Sequence, residues 1–552
     1  MQRDASRVST APQFARVKVS ARATRAANQR AARPSATARA AASDLSSCSK
    51  VCAPRGRAVP ALHSCRAHRT MRSTVSDRVE ATLLTESTLA HLVFSHLLSI
   101  VGFVMATVLL SRSFQQRRAA GSTLAWLFAM VLVPYVAVPL YVIFGARKVK
   151  PSRSPDTVMA APEPMDTWPD TPTARLARML GASGGMVSTS GNSVELLGDG
   201  ETAFAALTAA IRSATRSVHI STLVFSGDEV GEAVAALLEE RARAGVDVRV
   251  LIDGLFKFRT KRKQIAGLRR AGAKVAWFMR LWTLPTRGSV NLRLHRKAVL
   301  IDDRLAIIGG MNIAREYMGP TPLADRWRDL SLSVTGPAVG DIACLFRADW
   351  QFASGEELTS PPPHVATKED QTLPGRASIQ VVGSGPDSDN DLIYDAFLSA
   401  IFDARRRIWI ATPYFVPDEA IAHALLLALR RGVGVEILVP LRSNHLTADL
   451  AGAAYLRELR DAGAVVRCYA PGMMHAKILL VDDEVGILGS ANMDRRSFFL
   501  DYEIALIIAR REEVARMEAW FLPLFEGCVD LPPAARLRAI LEPLARLFAP
   551  LE

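Results

Sequence analysis

The sequence predicts an α/β protein with two tandem α/β sandwich domains, related by duplication and an approximate twofold axis, preceded by a two-helix transmembrane hairpin. Three observations support this prediction. One motif occurs twice, strands alternate with helices in both halves of the body, and two long apolar runs precede that body. The 552-residue chain also exceeds the roughly 250–300 residues at which a single core stops growing, which favours more than one domain.

Residues 1–70 form a basic leader that we exclude from the fold. They contain 14 Lys and Arg and 2 Asp, a local charge of +12 that leaves +2 of the net +14 for the rest of the chain. The sequence pI of about 9.8 is therefore no argument for nucleic-acid binding by the body. The Ala/Arg/Ser-rich composition is typical of an organelle transit peptide, and a misread start codon upstream of Met71 would produce it equally well.

After a short N-terminal segment over residues 71–91, the two apolar runs predict transmembrane helices over 92–110 and 124–144. The runs read LVFSHLLSIVGFVMATVLL and LAWLFAMVLVPYVAVPLYVIF, and neither contains Asp, Glu, Lys or Arg. Helices of these lengths would span about 28 and 31 Å, close to the thickness of the hydrocarbon core. Pro134 and Pro139 are expected to kink the second helix.

These helices predict a multi-pass protein of a cell (inner) membrane, or of an organelle membrane if the leader is a transit peptide. Basic residues flank the hairpin in nearly equal numbers in the linker SRSFQQRRAAG and in GARKVKPSRS. The positive-inside rule therefore favours a cytoplasmic body only weakly. A Pro/Ser/Asp-rich linker over residues 151–172 leads into that body.

The body is a duplicated unit. The stretch that begins at Ser217 resembles the one that begins at Arg407, since each contains a β-rich run, an Asp-Glu turn, an amphipathic helix and a second strand. Strands that alternate with helices predict an α/β sandwich in each half. We place the first domain at 173–358, a Pro-rich linker at 359–375, and the second domain at 376–552.

Cysteine and metal chemistry find no support in the sequence. The six cysteines show no paired C-x-x-C spacing, and three of them lie in the leader. We therefore expect no disulfide framework, no zinc site and no cofactor.

The repeated motif predicts chemistry at a phosphodiester. His295, Lys297 and Asp302 in the first half correspond to His475, Lys477 and Asp482 in the second. Each motif then continues through a tight Gly turn to an asparagine; the two asparagines are Asn312 and Asn492. Residues two apart on a strand point to the same face, so His and Lys are neighbours in each copy.

One half offers an incomplete set for acid–base chemistry, but two halves packed face to face offer two of each group. Lysine and asparagine side chains can bind anionic phosphoryl oxygens without a metal. Two imidazoles can act on opposite sides of phosphorus, one as nucleophile and one as proton donor. The motif thus predicts a catalytic site shared between the halves.

Each imidazole needs a partner that fixes its tautomer. Asp329 in RWRDLSLSV and Glu503 in DYEIALII occupy equivalent places after the two motifs and are our candidates. Asp302 and Asp482 belong to the repeated catalytic motif, although strand geometry carries them away from the histidines and favours a structural role.

The stretches HRKAVLID, HAKILLVD, GGMN and GSANMDRRSF resemble the HKD motifs of the phospholipase D superfamily. GGMNIAREYMG, RWRD, ATPYFVPDE and the N-terminal apolar hairpin are similar to bacterial-type cardiolipin synthases, over about residues 90–550. The resemblance implies phosphatidyl transfer from one phosphatidylglycerol to another with release of glycerol, with His295 as nucleophile and His475 as general acid and base. Ser490 stands where the first copy has Gly310, so only one half supplies an active-site hydroxyl.

The resemblance implies phosphatidylglycerol and the bilayer as partners. Water as acceptor would instead make the protein a phospholipase D, and serine or ethanolamine a different phosphatidyltransferase. A nuclease of the same superfamily would have a basic groove and no need for membrane helices. A catalytically inactive membrane scaffold would have lost a motif residue, whereas every His, Lys and Asn of the motifs is present.

Overall fold

The computed structural model describes residues 120–144, 171–279, 291–359 and 377–534, positions 541–542, and scattered positions between 91 and 111. All the described residues belong to one unit, Ser87–Glu552. The leader over 1–70 and most of the linkers over 151–172 and 359–375 lie outside the described residues.

Seventeen strands form the framework of the described body. Those of the first half are β1 (Thr189–Leu197), β2 (Ser217–Thr222), β3 (Asp247–Asp253), β4 (Lys274–Phe278), β5 (Ala298–Ile301), β6 (Leu305–Gly309) and β7 (Ser331–Thr335). Those of the second half are β8 (Ala377–Ser384), β9 (Arg407–Ala411), β10 (Phe415–Val416), β11 (Gly434–Pro440), β12 (Val465–Tyr469), β13 (Ile478–Val481), β14 (Val485–Gly489), β15 (Met493–Asp494), β16 (Glu503–Ile508) and β17 (Cys528–Asp530).

Helices connect and cover these strands. Before and within the first half lie α1 (Ala120–Leu132), α2 (Pro134–Phe144), α3 (Pro172–Ala182), α4 (Gly200–Ser213), α5 (Glu229–Arg243), a 3-10 turn (Leu255–Arg259), α6 (Arg262–Arg270) and α7 (Ala338–Ser354). The second half contains α8 (Leu392–Asp403), α9 (Glu419–Arg430), α10 (Leu446–Asp461), α11 (Arg495–Phe499) and α12 (Arg511–Phe525).

The strand order confirms the duplication. The first half runs β1-β7-β6-β5-β2-β3-β4, and the second runs β8-β16-β14-β13-β9-β11-β12, with β17 added at its edge. In both halves the central strands are parallel, as in β2–β3 and β9–β11, while the motif hairpins β5–β6 and β13–β14 are antiparallel. The two halves are therefore copies of one topology.

The repeated Asp-Glu turns are helix N-termini. The Asp228 carboxylate accepts hydrogen bonds from the backbone N–H groups of Val230 and Gly231 at the start of α5. Asp418 does the same for the N–H of Ile421 at the start of α9. Such caps satisfy backbone donors that a helix start leaves unpaired and typically contribute about 1 kcal/mol each.

Strand β1 joins the two halves into one 15-stranded sheet. Its first residues pair with β8 of the second half, and its later residues pair with β7 of the first. Helix α3 lies within the range predicted for the first domain, yet its Leu176 and Leu180 pack into the core of the second half. A further core is lined by residues of both halves, so the halves also pack against each other through apolar side chains.

The second apolar run forms two helices rather than one. Helix α1 ends at Leu132 and α2 begins at Pro134, whose ring cannot continue the hydrogen-bond ladder, whereas Pro139 lies inside α2. Trp126 of α1 contacts Tyr141 of α2 edge to face, with ring centroids 5.1 Å apart. Only scattered positions of the first run, 92–110, are among the described residues. Among the helices that are described, none combines the length and apolar character needed to cross a membrane.

Candidate active site

The sheet register brings both His-x-Lys stretches to equivalent edges of the two half-sheets. Ala298, the residue after Lys297, pairs with Ser221 near the end of β2. Ile478, the residue after Lys477, pairs with Ala411 at the end of β9. Each motif therefore enters its strand at the edge where the neighbouring parallel strands end, a common place for active sites in α/β folds.

Asp302 and Asp482 lie at the opposite end of those strands. The Asp302 carboxylate accepts hydrogen bonds from the backbone N–H groups of residues 215–217, and Asp482 accepts from those of residues 405–407. Both adopt a positive φ, 53° and 52°, in tight hairpin turns, which Asp tolerates better than most residues. Their grouping with the catalytic residues is corrected: these side chains fasten a turn and do not reach the histidines.

Short backbone pairings fix the two halves at the site. The N–H of His295 donates to the carbonyl of Tyr502 at 2.9 Å, and the N–H of Tyr502 donates to the carbonyl of Arg293 at 2.8 Å. The equivalent pairing runs from the N–H of His475 to the carbonyl of Arg328 at 2.7 Å. Each histidine is thus held beside a strand of the other half.

As a result, each imidazole contacts a carboxylate from the opposite half. His295 Nδ1 lies 2.8 Å from Glu503 Oε1, and His475 Nδ1 lies 2.7 Å from Asp329 Oδ2. Both carboxylates are fully buried. With Nδ1 engaged, Nε2 is the nitrogen of His295 left for chemistry, as in a His–Asp dyad, whereas Nε2 of His475 lies 3.2 Å from Lys477 Nζ.

The two lysines complete a buried cluster. Lys297 Nζ donates to the carbonyl of His295 at 2.7 Å. Lys477 Nζ donates to the carbonyl of His475 at 2.5 Å and lies 2.8 Å from Nδ1 of the same ring. Both lysines are 3% exposed, so an unpaired ammonium there would be costly. An anion bound in the site would relieve that cost.

The halves differ beside their carboxylates. Ser490 Oγ donates to Glu503 Oε2 and accepts from the N–H of Ile504 at 3.0 Å. A Cβ at Gly310, the equivalent position, would lie 2.4 and 2.6 Å from the two carboxylate oxygens of Asp329. The shorter aspartate side chain occupies the space that the serine fills in the other half, so the Asp–Gly and Glu–Ser combinations are alternative solutions to one packing problem.

The two asparagines serve the surrounding loops. Asn312 Oδ1 accepts from the N–H of Val224 at 3.2 Å and from Thr222 Oγ1 at 3.3 Å. The backbone N–H of Asn492 donates to Ser497 Oγ at 3.1 Å. Its side-chain contacts place Asn312 in the support of the loop that directly follows β2, whereas the contact of Asn492 is made by its backbone.

Burial and charge shift the pKa values of the whole cluster. Burial lowers the pKa of His295 to about 4, against the opposing charge of Glu503, and with Lys477 and Lys297 it holds that of His475 well below its usual range. Burial and mutual repulsion lower the pKa of Lys297 to about 7, and burial lowers that of Lys477 to about 8. These shifts favour the uncharged form of the His295 imidazole, the form in which histidine is a nucleophile.

The pKa values of the two carboxylates are shifted in opposite directions. Burial raises the pKa of Asp329 to about 7, although Lys477 and Lys297 act against it. Burial also raises the pKa of Glu503, but the charges of His295 and Lys297 and the hydrogen bonds from His295 and Ser490 outweigh it and leave it lowered. The carboxylate of the His295–Glu503 pair therefore stays ionised to a lower pH than that of the His475–Asp329 pair.

Sequence reasoning missed several neighbours of the histidines. Arg296 is buried and crosses between the halves, with Nε 3.0 Å from the carbonyl oxygen of Glu503 and Nη1 2.5 Å from Asp349 Oδ1. Trp327 and Tyr317 pack on the His475 ring, with centroids 5.1 and 5.0 Å away. Arg296 lies inside the first motif but has Ala476 at its place in the second, and that asymmetry was the available signal.

The chain resembles known proteins over most of its length. A family profile described as "Cardiolipin synthase, PLD-like domain" matches residues 207–350 and 397–524, and one described as "Phospholipase_D-nuclease N-terminal" matches residues 92–145. Cardiolipin synthase 1 of Bacillus anthracis is 32% identical over 82% of this chain and 94% of that protein. Cardiolipin synthase A of Pseudomonas putida strain W619 is 32% identical over 83% of this chain and 98% of that protein.

A solved structure shares the architecture. Phosphatidylserine synthase from Haemophilus influenzae Rd KW20 superposes with a TM-score of 0.51 at 17% sequence identity, over 65% of this chain and 93% of that one. At that identity the likeness concerns the fold alone.

Proposed function

Because the chain belongs to the family of cardiolipin synthases with phospholipase D-like domains, we propose that it converts two molecules of phosphatidylglycerol into cardiolipin and glycerol. One observation carries the proposal beyond family membership. Each motif histidine is hydrogen-bonded to a buried carboxylate of the opposite half, with a buried lysine beside it. The arrangement supplies two oriented imidazoles and two cations to one anionic substrate group.

In the first step, Nε2 of His295 attacks the phosphorus of one phosphatidylglycerol. A P–N bond forms, the P–O bond to the glycerol headgroup breaks, and the departing glycerol oxygen takes a proton from Nε2 of His475, whose imidazolium form the bound phosphodiester anion stabilises. Glu503 holds the His295 ring by its Nδ1 and stabilises the positive charge that the ring acquires.

In the second step, Nε2 of His475 takes the proton from a glycerol hydroxyl of the second phosphatidylglycerol. That oxygen attacks phosphorus, the P–N bond breaks, and His295 is regenerated. The proton on His475 is then available for the next turnover, so the two steps balance without a metal or a redox group.

Lys297 and Lys477 are the groups that would neutralise the phosphoryl oxygens. Burial lowers their pKa values to about 7 and about 8. A phosphodiester between them raises both values, because it supplies the missing negative charge. Asn312 supports the loop after β2, and Asn492 is the matching residue of the other half.

The order of the histidines rests on the asymmetry of the halves. The His295 side chain is 13% exposed and that of His475 is 5% exposed. Glu503, the partner of His295, is further held by Ser490, and its pKa is lowered whereas that of Asp329 is raised. A firmly ionised partner suits the ring that must carry a covalent phosphoryl group.

The lipid substrate and the apolar runs over 92–110 and 124–144 support a membrane location. We include in the proposal a two-helix transmembrane hairpin and a multi-pass inner-membrane protein, because the match over residues 92–145 covers both runs and the linker between them. The predicted leader, residues 1–70, lies outside all the matched ranges.

The proposal is tested with purified full-length protein and phosphatidylglycerol as the sole lipid. Mass spectrometry should show cardiolipin and glycerol in equal amounts, and neither with His295→Ala or His475→Ala. Phosphatidic acid as the only lipid product would make water the acceptor and the protein a phospholipase D. No turnover of phosphatidylglycerol by folded protein would contradict the proposed substrate.

A further inference from the structure

Two equivalent loops leave the half-sheets at the same edge as the active site. Strand β3 is parallel to β2, and Ile252 pairs with Thr222, so the loop after β3 emerges where the first motif enters. Strand β11 is parallel to β9, and Leu438 pairs with Ala411, so the loop after β11 emerges beside the second motif. We call these segments, residues 255–263 and 441–446, the rim loops.

The first rim loop is tied to the catalytic segment. The Asp253 carboxylate accepts from the N–H of Leu255 at 2.8 Å and from the N–H of Leu294 at 2.8 Å, one residue before the catalytic His295. The loop that follows turns Phe258 outward, with 78% of its surface exposed. An aromatic side chain held in that position by a short 3-10 turn contributes little to the core.

Basic residues surround Phe258. The stretch KFRTKRK contains five Lys and Arg in seven residues, all of them exposed: Lys257, Arg259, Lys261, Arg262 and Lys263. Arg259 and Lys261 form surface ion pairs with Glu316 and Glu232, contacts that contribute little to stability in water. Lys257 Nζ also lies over the Trp277 ring, 5.5 Å from its centroid. With two acidic partners for five cations, the cluster keeps a net positive charge.

Two of these basic residues occupy the N-terminus of helix α6, where positive charge is unfavourable. It begins with Arg262 and Lys263 and has no acidic residue in its first turn. Cations at a helix N-terminus oppose the helix dipole, which favours negative groups there. A local rule broken beside an active site points to a function for the charges.

The second rim loop repeats the pattern in a smaller form. Leu446 is 65% exposed and Leu441 is 36% exposed, with Arg442 between them also exposed. Asn444 accepts from the Tyr414 hydroxyl at 2.6 Å, and His445 packs edge to face on that ring. Phe258 and Leu446 are the most exposed large apolar side chains of the described body, residues 171–534, and they occur in equivalent loops.

We propose that the rim loops dock the catalytic body on an anionic phospholipid surface, with Phe258 and Leu446 inserted among the headgroups and the surrounding basic residues against lipid phosphates. Exposed apolar side chains rimmed by Lys and Arg are the chemistry that binds a membrane interface. The inference rests on the proposed function, since phosphatidylglycerol is itself anionic. Docking at this edge would face the active site toward the lipid that it consumes.

The first test compares the double variant Phe258→Ser/Leu446→Ser with Phe402→Ser in the full-length protein. Phe402 is 46% exposed at the end of α8, just before β9 begins, and so lies at the opposite edge of the sheet. Turnover is measured on phosphatidylglycerol vesicles and on monomeric short-chain phosphatidylglycerol. We expect kcat/KM of the double variant to fall at least about tenfold on vesicles and to stay within about twofold on the monomeric lipid.

The outcomes separate the two proposals. Equal kcat/KM of the double variant and wild type on vesicles, or an equal fall on both substrates, overturns the docking inference while leaving the proposed function intact. No turnover of either substrate by the wild type contradicts the proposed function instead.

A second test needs no activity. Phe258→Trp in vesicles that contain brominated phosphatidylcholine and phosphatidylglycerol should show added fluorescence quenching relative to Phe402→Trp, and Lys263→Gln should weaken it more than the control Arg430→Gln. Arg430 lies in the last turn of α9, at the opposite edge. Equal quenching at positions 258 and 402 would overturn the inference.

Discussion

A methyl group at Gly310 should disable the second histidine without unfolding the protein. The Cβ of Gly310→Ala would lie 2.4 Å from Oδ1 and 2.6 Å from Oδ2 of Asp329, well inside van der Waals contact. Gly310 directly follows β6, and its N–H donates to the carbonyl of Leu330 at 3.4 Å, so its backbone is held and the Asp329 carboxylate must move. Its Oδ2 is the atom that contacts His475 Nδ1 at 2.7 Å.

The size of the effect follows from that contact. A hydrogen bond to a charged group contributes about 1.5–3 kcal/mol, so its loss should reduce kcat about 10–150-fold. Ser490→Gly is the matched change in the other half. It removes the hydrogen bond from the serine hydroxyl to Glu503, which keeps His295 as a partner. We expect that variant to lose no more than about tenfold in kcat.

A rescue makes the prediction specific. Gly310→Ser together with Asp329→Glu would copy the Ser490–Glu503 arrangement into the first half, where the serine hydroxyl donates to the glutamate carboxylate. We expect the double variant to be more active than Gly310→Ser alone, as measured by kcat with phosphatidylglycerol and with melting temperature as the folding control. Multiplicative loss in the double variant, or full activity of Gly310→Ala, would refute the packing argument.

Three further outcomes are expected. Lys297→Met should abolish turnover yet raise the free energy of unfolding by about 1–3 kcal/mol near pH 6, because it replaces a buried cation. Since the pKa of Lys297 is lowered to about 7, calorimetry should show this gain in stability shrinking as the pH rises from 7 toward 10.5. A gain that does not depend on pH would contradict the prediction. The value of kcat/KM should fall above pH about 7 to 8, because Lys297 and Lys477 lose protons there. The alkaline fall of kcat should occur at a higher pH, because bound phosphate raises both lysine pKa values. Alkaline limbs at the same pH for kcat and kcat/KM would contradict this. Asp302→Ala should cost about 2 kcal/mol in urea unfolding and leave kcat of the folded fraction unchanged, because the side chain only fastens residues 215–217; a specific loss of kcat would restore a catalytic role.

Periodicity and repetition were enough to predict the duplicated α/β body. The strand–helix alternation predicts the α/β class of each half, and the Asp-Glu turns at Asp228 and Asp418 are helix caps whose chemistry is local. The register of His295 and Lys297 on one face follows from a period of two. These features depend on neighbours along the chain, which a sequence displays directly.

Features that depend on the other half could not be predicted. Nothing local indicates that Glu503 contacts His295 rather than the histidine of its own half, because the crossing follows from the pairing of Tyr502 with the segment before β5. The packing of Leu176 into the second core likewise depends on β1 pairing with β8. The need for glycine at position 310 becomes clear only once Asp329 is seen against it.

The central claim, that both halves build one site in which His295 is the nucleophile, is tested most directly by trapping the covalent intermediate. A phosphatidyl ester of p-nitrophenol has a leaving group that needs no general acid, so His475→Ala should still form the P–N bond but resolve it slowly. We predict a burst of one equivalent of p-nitrophenol with that variant, and a phosphatidyl adduct on the His295 peptide by mass spectrometry after alkaline quench. An adduct on His475 in the His295→Ala variant, or a burst with neither variant, would contradict the account.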